Sequence, residues 1–193
     1  NGCAAFDVNA ACSGFVYALG VANAFIASGQ ARKALVVGSE TLTRMLDWND
    51  RSTCVLFGDG AGAVVLEVSN EPGIYTTKLH ADGGYKHLLF NPVGVSAGFR
   101  DGEPNHGIRV MMTGNEVFKV AVKTLDAVVE ETLAANDLDK SAIDWLVPHQ
   151  ANKRIIDAMG RKLALPPERV VVTVDRHANT SAASIPLALW EAR

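Results

Sequence analysis

Short apolar segments of strand length alternate along this chain with segments of helical periodicity, and this alternation most strongly limits its possible folds. Residues 14–28 are apolar on almost every side, which indicates a buried helix ended by Gly29. Residues 33–38 form a continuous apolar run, which is typical of a parallel strand in the core of a sheet. The predicted strands are 6–9, 33–38, 61–68, 73–79, 145–147 and 170–173, and the predicted helices are 14–28, 114–136, 151–163 and 181–192. This order predicts a layered α/β architecture.

Composition narrows the class of protein further. Hydrophobic residues make up 48% and charged residues 20% of the 193 residues, which suits a sizeable buried core and excludes general disorder. A net charge of −3 disfavours a nucleic-acid binder that relies on bulk positive charge. No apolar run approaches the roughly 20 residues that a membrane span needs. The three cysteines have no paired spacing, which argues against a disulfide framework and indicates a reducing cytosol.

Residues 83–105 predict a long loop, because they are rich in Gly and Pro and show no clear period. The composition changes most within 97–106, so we expect two halves, 1–105 and 106–193. The sequence begins without an initiator Met or a signal-peptide pattern and stops inside an amphipathic helical pattern. We therefore expect an internal fragment of a longer protein.

Cys12 is the first candidate for chemistry. It stands where the predicted strand 6–9 gives way to the apolar helix, and its small neighbours leave room for a substrate. A thiol at a helix N-terminus faces unpaired N–H groups and the positive end of the helix dipole, so we expect a lowered pKa and a reactive thiolate. The alternative is a small buried core residue, the common fate of a free cysteine. Cys3 and Cys54 lack this setting and are expected in the core.

His149 and Asn179 each follow a predicted strand and precede a predicted helix. The carboxyl ends of strands are where α/β sheets place their ligands, so both positions suit a functional group. The alternative for each is a helix cap, a routine role for Asn in particular. His177 lies two residues before Asn179 and competes with it for a chemical role. The histidines expected to be ordinary surface residues are His80, His87 and His106.

The glycine-rich run at 57–62, FGDGAG, resembles a phosphate loop only superficially. Its glycines are spaced by two, and a strand rather than a helix follows, so a tight turn is the better interpretation. No group of Cys and His residues has the spacing of metal ligands, so no metal is expected.

Five longer runs make a family resemblance visible: FDVNAACSGF, DRSTCVLFGDGAGAVVLE, GNEVFKVAV, WLVPHQANKRII and RHANTSAAS. They closely resemble β-ketoacyl-ACP synthase III, the initiating condensing enzyme of bacterial type II fatty acid synthesis. The resemblance covers essentially the whole chain with the motifs in the family's order. It implies a thiolase-like fold, in which two βαβαβαββ halves form a layered αβαβα sandwich, and a homodimer. Residues 1–105 would be the latter part of the first half, and 106–193 most of the second.

The same resemblance implies a catalytic set of Cys12, His149 and Asn179. Cys12 matches the nucleophile, His149 the histidine of the PHQAN motif, and Asn179 the asparagine of a GNTS-like motif. The implied reaction is a decarboxylative Claisen condensation of an acyl-CoA, most simply acetyl-CoA, with malonyl-ACP to give 3-oxoacyl-ACP. His177 stays outside this site. Ala178 stands where glycine is common in the motif, a change expected to have no effect.

The binding residues are likewise implied by the resemblance. Arg51 matches a residue that packs against the CoA adenine, and its planar guanidinium suits that role. The residues matching the pantetheine tunnel are Phe118, Ala151 and Asn152, and those matching the basic mouth where the acidic carrier protein docks are Lys119 and Arg154. No separate cofactor is expected, because acyl-CoA and malonyl-ACP carry their own phosphopantetheine. A cytoplasmic location follows, with no nucleic-acid or membrane partner.

Other functions remain open. A related Cys–His–Asn condensing enzyme of secondary metabolism would share every one of these residues. A truncated copy could act only as a binding subunit without activity. Cysteine hydrolases of the papain type also use Cys, His and Asn in this chain order, but their C-G-[SA]-C-[WY] signature is absent.

Overall fold

The computed structural model describes residues 2–94 and 107–192, in which helices and strands alternate. The strands are β1 (Lys33–Thr41), β2 (Asp59–Glu67), β3 (Leu89–Phe90) and β4 (Met111–Met112). The helices are α1 (Gly14–Ala27), α2 (Gly114–Ala134), α3 (Lys153–Lys162), α4 (Val174–His177) and α5 (Ser184–Glu191). Single 3₁₀ turns precede α1 at Ala11–Ser13 and α5 at Ser181–Ala183.

Strands β1 and β2 form the main sheet, an antiparallel pair whose register runs from Lys33↔Glu67 to Thr41↔Asp59. Successive side chains alternate between the faces of a strand, so one face carries the even-numbered residues. That face packs against α1 and the start of α5 around a cluster of Phe15, Val36 and Ala182. The helices that flank the candidate site therefore share one face of this hairpin.

A pair of opposed glycines lets the segment before α5 approach the sheet. Gly38 lies opposite Gly62 in the register. A Cβ on Gly38 would stand 2.6 Å from the Ala182 carbonyl oxygen, and one on Gly62 would stand 2.9 Å from Pro186 Cβ. Both distances are shorter than real Cβ contacts, so only glycine allows this packing. The close approach brings the segment that contains Asn179, Ser181 and Ser184 close to the sheet.

The second half is tied to the first by backbone contacts rather than by a continuous sheet. The parallel bridge Phe57↔Asn179 joins the two halves, whereas a second parallel bridge, Leu146↔Val170, lies within the second half. Helix α2 packs against α3, and the short pair Leu89–Phe90 and Met111–Met112 lies beside the loop after β1, where Val110 N donates to the Met45 carbonyl at 2.9 Å.

The four predicted helices are confirmed with small changes of boundary, and α5 is preceded by a separate 3₁₀ turn. The prediction that α1 is buried on all sides is wrong: only Gly14 and Phe15 are buried, and most of its other residues are partly exposed. The strand predicted at 33–38 is present as β1, but its partner is antiparallel, not parallel. Its face with Leu35 and Val37 is exposed, so the apolar run does not mark burial on both faces here.

Several predicted strands are absent. Residues 6–9 and 73–79 are irregular, and 145–147 and 170–173 are reduced to a single bridge. The glycine run 57–62 is not a tight turn: it leads directly into β2. Residues 83–94 include a 3₁₀ turn and β3, while the rest of the predicted loop and the boundary at 97–106 lie almost entirely outside the described residues.

Candidate active site

Cys12 lies in the 3₁₀ turn Ala11–Ser13, one residue before the N-cap of α1. The preceding Ala11 has a left-handed φ of +46°, which turns the chain sharply into the helix. Burial raises the pKa of the Cys12 thiol above its ordinary value, and the nearby Glu40 carboxylate raises it too. A hydrogen bond with the Ser181 side chain opposes the rise without cancelling it.

The expectation of a lowered Cys12 pKa is therefore wrong. The helix start is present, but desolvation of the thiolate outweighs it. The resting group is a neutral thiol whose proton must leave as the sulfur attacks. The predicted placement of Cys12 at the entrance of α1 is confirmed.

His149 follows the Leu146 bridge and its imidazole is largely enclosed by protein. Its Nδ1 atom lies 2.6 Å from Ser184 Oγ at the first residue of α5. Burial lowers the pKa of His149 to about 4, and the Ser181 carbonyl opposes this shift. The ring is therefore neutral near pH 7, with one nitrogen donating and the other accepting.

Gln150 fixes the chain beside His149 through a fully buried amide. Its Nε2 donates to the carbonyls of Pro148 and Val171 at 3.0 and 3.1 Å. Its Oε1 accepts from the backbone N–H groups of Thr173 and Val174 at 2.7 and 3.1 Å. The Leu146 bridge adds two backbone bonds, Leu146 N–H to the Arg169 carbonyl and Val171 N–H to the Leu146 carbonyl, both at 2.9 Å. The bridge and the Gln150 amide together tie the backbone beside His149 to the segment before α4.

Asn179 is clamped through its backbone between two residues ahead of β2. Its N–H donates to the Leu56 carbonyl at 2.8 Å, and its carbonyl accepts from Gly58 N–H at 3.0 Å. Its side-chain Oδ1 accepts from Ser181 N–H at 2.9 Å. This bond turns the Nδ2 amide away from the backbone, and Nδ2 makes no hydrogen bond to the described residues. Asn179 therefore caps a local turn and still presents a free donor.

Ala178 adopts a backbone conformation that is ordinarily reserved for glycine, with φ +59° and ψ −166°. The family motif commonly has glycine at this position. The backbone conformation is a reason to expect an effect of alanine on stability, whereas its lack of effect on function stays a prediction. Ser181 is also left-handed, with φ +50°. Asn179 is thus held between two strained residues.

Cys12, His149 and Asn179 line one cavity of about 510 Å³. The cavity continues past the residues predicted for pantetheine, since its lining includes Phe118, Ala151, Asn152 and Arg154. Other lining residues, which the sequence did not single out, are Ser52, Leu56, Phe57, Leu89, Met112, Gly114, Asn115, Val117, Ala121 and Ile155. The structure therefore brings together the three predicted catalytic residues and the predicted tunnel.

The cavity's basic edge is built by α2 and α3. Asn152 caps α3 by accepting from Arg154 N–H at 2.8 Å. The Arg154 guanidinium lies over the Phe118 ring, 4.9 Å from its centroid, in a cation–π contact. Lys119 and Arg51 are exposed and stand outside the lining, although Arg51 neighbours Ser52, which belongs to it.

The remaining predicted residues fall into three groups. Cys3 is exposed, so its predicted core position is wrong, while Cys54 is half-buried. His80 and His87 are exposed as expected, and His80 pairs with Glu131 at 2.6 Å. His177 lies outside the cavity lining, and His106 lies outside the described residues.

Serine residues are the functional group that the sequence reasoning missed. Ser181 contacts the Cys12 thiol and donates its N–H to Asn179, and Ser184 contacts His149. They follow Asn179 by two and five residues, which puts Ser181 in the 3₁₀ turn before α5 and Ser184 at the first residue of α5. This spacing was the signal in the sequence that could have found them. Within residues 2–94 and 107–192, no cluster of side chains could hold a metal ion. No helix among these residues is long and apolar enough to cross a membrane.

Solved structures whose backbones superpose closely on this chain identify its fold. 3-Oxoacyl-[acyl-carrier-protein] synthase III from Aquifex aeolicus is 46% identical with a TM-score of 0.88, covering 100% of this chain and 58% of its own. The synthase III from Pseudomonas aeruginosa is 42% identical with a TM-score of 0.89, covering 99% of this chain and 58% of its own. The chain therefore carries part of the thiolase-like α/β fold that was predicted.

Sequence comparisons narrow this class to one family. The model described as 3-Oxoacyl-[acyl-carrier-protein (ACP)] synthase III matches residues 6–83, and the model of its C-terminal region matches 133–193. The β-ketoacyl-[acyl-carrier-protein] synthase III of Xanthomonas campestris pv. campestris is 66% identical over 191 residues. The chain belongs to the β-ketoacyl-ACP synthase III family. The match covers 99% of this chain but only 58% of the Xanthomonas protein.

Proposed function

We propose that this chain carries the catalytic residues of an acyltransferase that condenses an acyl-CoA with malonyl-ACP. The observation that carries the proposal is the convergence of Cys12, His149 and Asn179 on one cavity whose lining continues along Phe118 and Arg154. The 66% identity to curated synthases of this family supports the same reaction.

The first step loads an acyl group, most simply acetyl, onto Cys12. The sulfur attacks the thioester carbonyl, the bond between that carbonyl and the CoA sulfur breaks, and CoA leaves as a thiol. Because Cys12 is a neutral thiol at rest, its proton is lost during the attack and the departing CoA sulfur gains one. The lowered pKa of His149 and the raised pKa of Cys12 both favour the neutral forms over a thiolate–imidazolium pair before substrate binds.

The second step releases CO₂ from malonyl-ACP and leaves an enolate with negative charge on its thioester oxygen. Donors aimed at that oxygen stabilise the enolate. The unpaired Nδ2–H of Asn179 is one such donor, and His149 Nε2–H is the other. Neither donor carries a charge or needs a proton to be removed near pH 7. The enolate carbon then attacks the acyl-Cys12 carbonyl and the bond from that carbonyl to the Cys12 sulfur breaks, giving 3-oxoacyl-ACP and a thiolate that takes up a proton from water to restore the thiol.

The partners follow from the same surface. Lys119 and Arg154 would meet the acidic carrier protein, and Arg51, exposed beside the lining residue Ser52, would meet the adenine of CoA. No cofactor beyond the phosphopantetheine of the substrates is proposed. We further propose a homodimer located in the cytoplasm.

A second candidate is the same chemistry used to start a secondary metabolite. A priming β-ketosynthase from the R1128 polyketide biosynthetic pathway is 38% identical, with a TM-score of 0.86. The higher identity to the Xanthomonas synthase favours fatty acid initiation. Comparing acetyl-CoA with longer acyl-CoA starters in the same condensation assay would separate the two.

Acyl labelling tests the proposal. The natural full-length protein incubated with radiolabelled acetyl-CoA should carry the label on the peptide containing Cys12, with release of CoA. Cys12→Ser should abolish the label, because a serine alkoxide is far less accessible than a thiolate. Cys54→Ser, a half-buried cysteine outside the cavity lining, is the matched control and should keep it. Label on Cys3 or Cys54 instead would overturn the assignment of Cys12 as the nucleophile. No CoA release at all would leave only a binding subunit.

A further inference from the structure

Ser184 is placed to control which nitrogen of His149 carries the hydrogen. It is the first residue of α5, and it is only 1% exposed. Its Oγ lies 2.6 Å from His149 Nδ1 and also accepts from Gln150 N–H at 3.2 Å. One buried hydroxyl thus joins the imidazole to the backbone beside it.

The direction of the bond to His149 follows from counting hydrogens. A serine hydroxyl has one hydrogen to donate and two lone pairs to accept with. Gln150 N–H occupies one lone pair. If Nδ1 carried the ring hydrogen, it would occupy the other, and the hydroxyl hydrogen would have no acceptor among the described residues. Buried donors without partners are rare because they lose their hydration. Ser184 therefore donates to Nδ1, and the ring hydrogen resides on Nε2.

The Ser181 carbonyl is the competing group. It can accept a hydrogen bond from the imidazole and so raises the pKa of the ring, but the group 2.6 Å from Nδ1 is the Ser184 hydroxyl. Without the Ser184 hydroxyl, Nδ1 would be free to carry the hydrogen. Nε2 would then be an acceptor, and it would repel an enolate oxygen instead of stabilising it.

We propose that Ser184 is a positioning residue that holds His149 in its Nε2–H form. The expected effect on decarboxylation rests on the proposed function, whereas the tautomer of His149 is a property of the resting protein.

The test is the ¹⁵N spectrum of ¹⁵N-histidine-labelled protein near neutral pH, compared for the wild type, Ser184→Ala and Ser184→Thr. The His149 signals are assigned by their loss in His149→Gln. Thr173→Val is the matched control, because it removes a buried hydroxyl beside Gln150 that has no partner and does not touch His149. Malonyl-ACP decarboxylation and CoA release are measured on the same variants.

We expect a protonated Nε2 in the wild type, with an unprotonated Nδ1 shifted by the hydrogen bond that it accepts. Ser184→Ala should lose that shift and populate the Nδ1–H form, while Ser184→Thr and Thr173→Val keep the wild-type pattern. Decarboxylation should fall about 10–100-fold in Ser184→Ala only, as for groups that orient a ligating histidine, with CoA release nearly unchanged.

Two spectra would overturn the proposal: a wild-type protein with the hydrogen on Nδ1, or a Ser184→Ala protein with the wild-type pattern. If Ser184→Ala fails to fold, the wild-type spectrum still decides, because an unshifted Nδ1 contradicts the bond from Ser184. If no form decarboxylates malonyl-ACP, the proposed function fails, whereas the tautomer result stands or falls by itself.

Discussion

Replacing Ala178 by glycine should stabilise the protein, although glycine usually weakens a fold. With φ +59° and ψ −166°, Ala178 occupies a region that is essentially restricted to glycine. A non-glycine residue there costs about 1–3 kcal/mol. The substitution recovers this strain but adds about 0.4–1 kcal/mol of unfolded-state entropy. It also removes a half-buried methyl group worth at most about 0.8 kcal/mol. The expected net gain is about 1 kcal/mol.

Urea and thermal unfolding followed by circular dichroism would measure this gain. For a chain of this size, about 1 kcal/mol corresponds to a rise of roughly 2–4 °C in Tm. Ala24→Gly is the matched control: it is exposed inside α1 and should lower stability by roughly 0.5–1 kcal/mol. If Ala178→Gly lowers stability as much as Ala24→Gly does, the argument from backbone strain is refuted.

Three further predictions concern the sheet and the two titrating site residues. Gly38→Ala should destabilise the fold by about 1–3 kcal/mol in urea unfolding, because its Cβ would meet the Ala182 carbonyl at 2.6 Å; Gly73→Ala, with open space around it, should not. Because the pKa of His149 is lowered to about 4, stability should fall by at most about 3 kcal/mol as pH drops from 6.5 towards 4, and His149→Gln should flatten that profile. Alkylation of Cys12, followed by peptide mass spectrometry, should have a pH midpoint above 9.0 that rises further in Ser181→Ala; a midpoint below 9.0 would contradict the raised pKa.

The helices were predictable from local signals, and the grouping of the three candidate site residues was predictable from the family resemblance. The apolar pattern of 14–28 and the amphipathic pattern of 114–136 give long periodic segments, and both helices form close to the predicted bounds. Cys12, His149 and Asn179 lie at junctions between segments, and the family resemblance grouped them before the structure placed them on one cavity.

The strand predictions failed in the direction of pairing for β1 and in the extent of pairing for the later segments. The run at 33–38 suggested a parallel strand covered on both faces, yet within the described residues β1 pairs antiparallel with β2 and exposes Leu35 and Val37. Residues 145–147 and 170–173 pair only through the Leu146 bridge and its two backbone bonds, and the Gln150 amide adds bonds to the residues that follow. No periodicity in a sequence reports how short such a pairing will be.

The electrostatics of the site were also beyond sequence reasoning. The helix start at Cys12 correctly indicated a dipole, but the pKa depends on how much water the thiol loses and on Glu40, which is distant in sequence. The pKa of His149 is likewise set by burial among residues of α5 and the turn before it. Both pKa shifts follow from packing, which the pattern of residues does not specify.

The central claim is that Cys12 loads the acyl group while His149 and Asn179 stabilise the enolate. The most direct test measures CoA release from acetyl-CoA and CO₂ release from malonyl-ACP side by side in the natural full-length protein and three alanine variants. His149→Ala and Asn179→Ala should retain substantial CoA release but lose about 10²–10³-fold in CO₂ release, as for loss of one oxyanion donor. Cys12→Ala should release no CoA and still release CO₂. Wild-type CO₂ release by Asn179→Ala would reduce Asn179 to a turn cap and contradict the account.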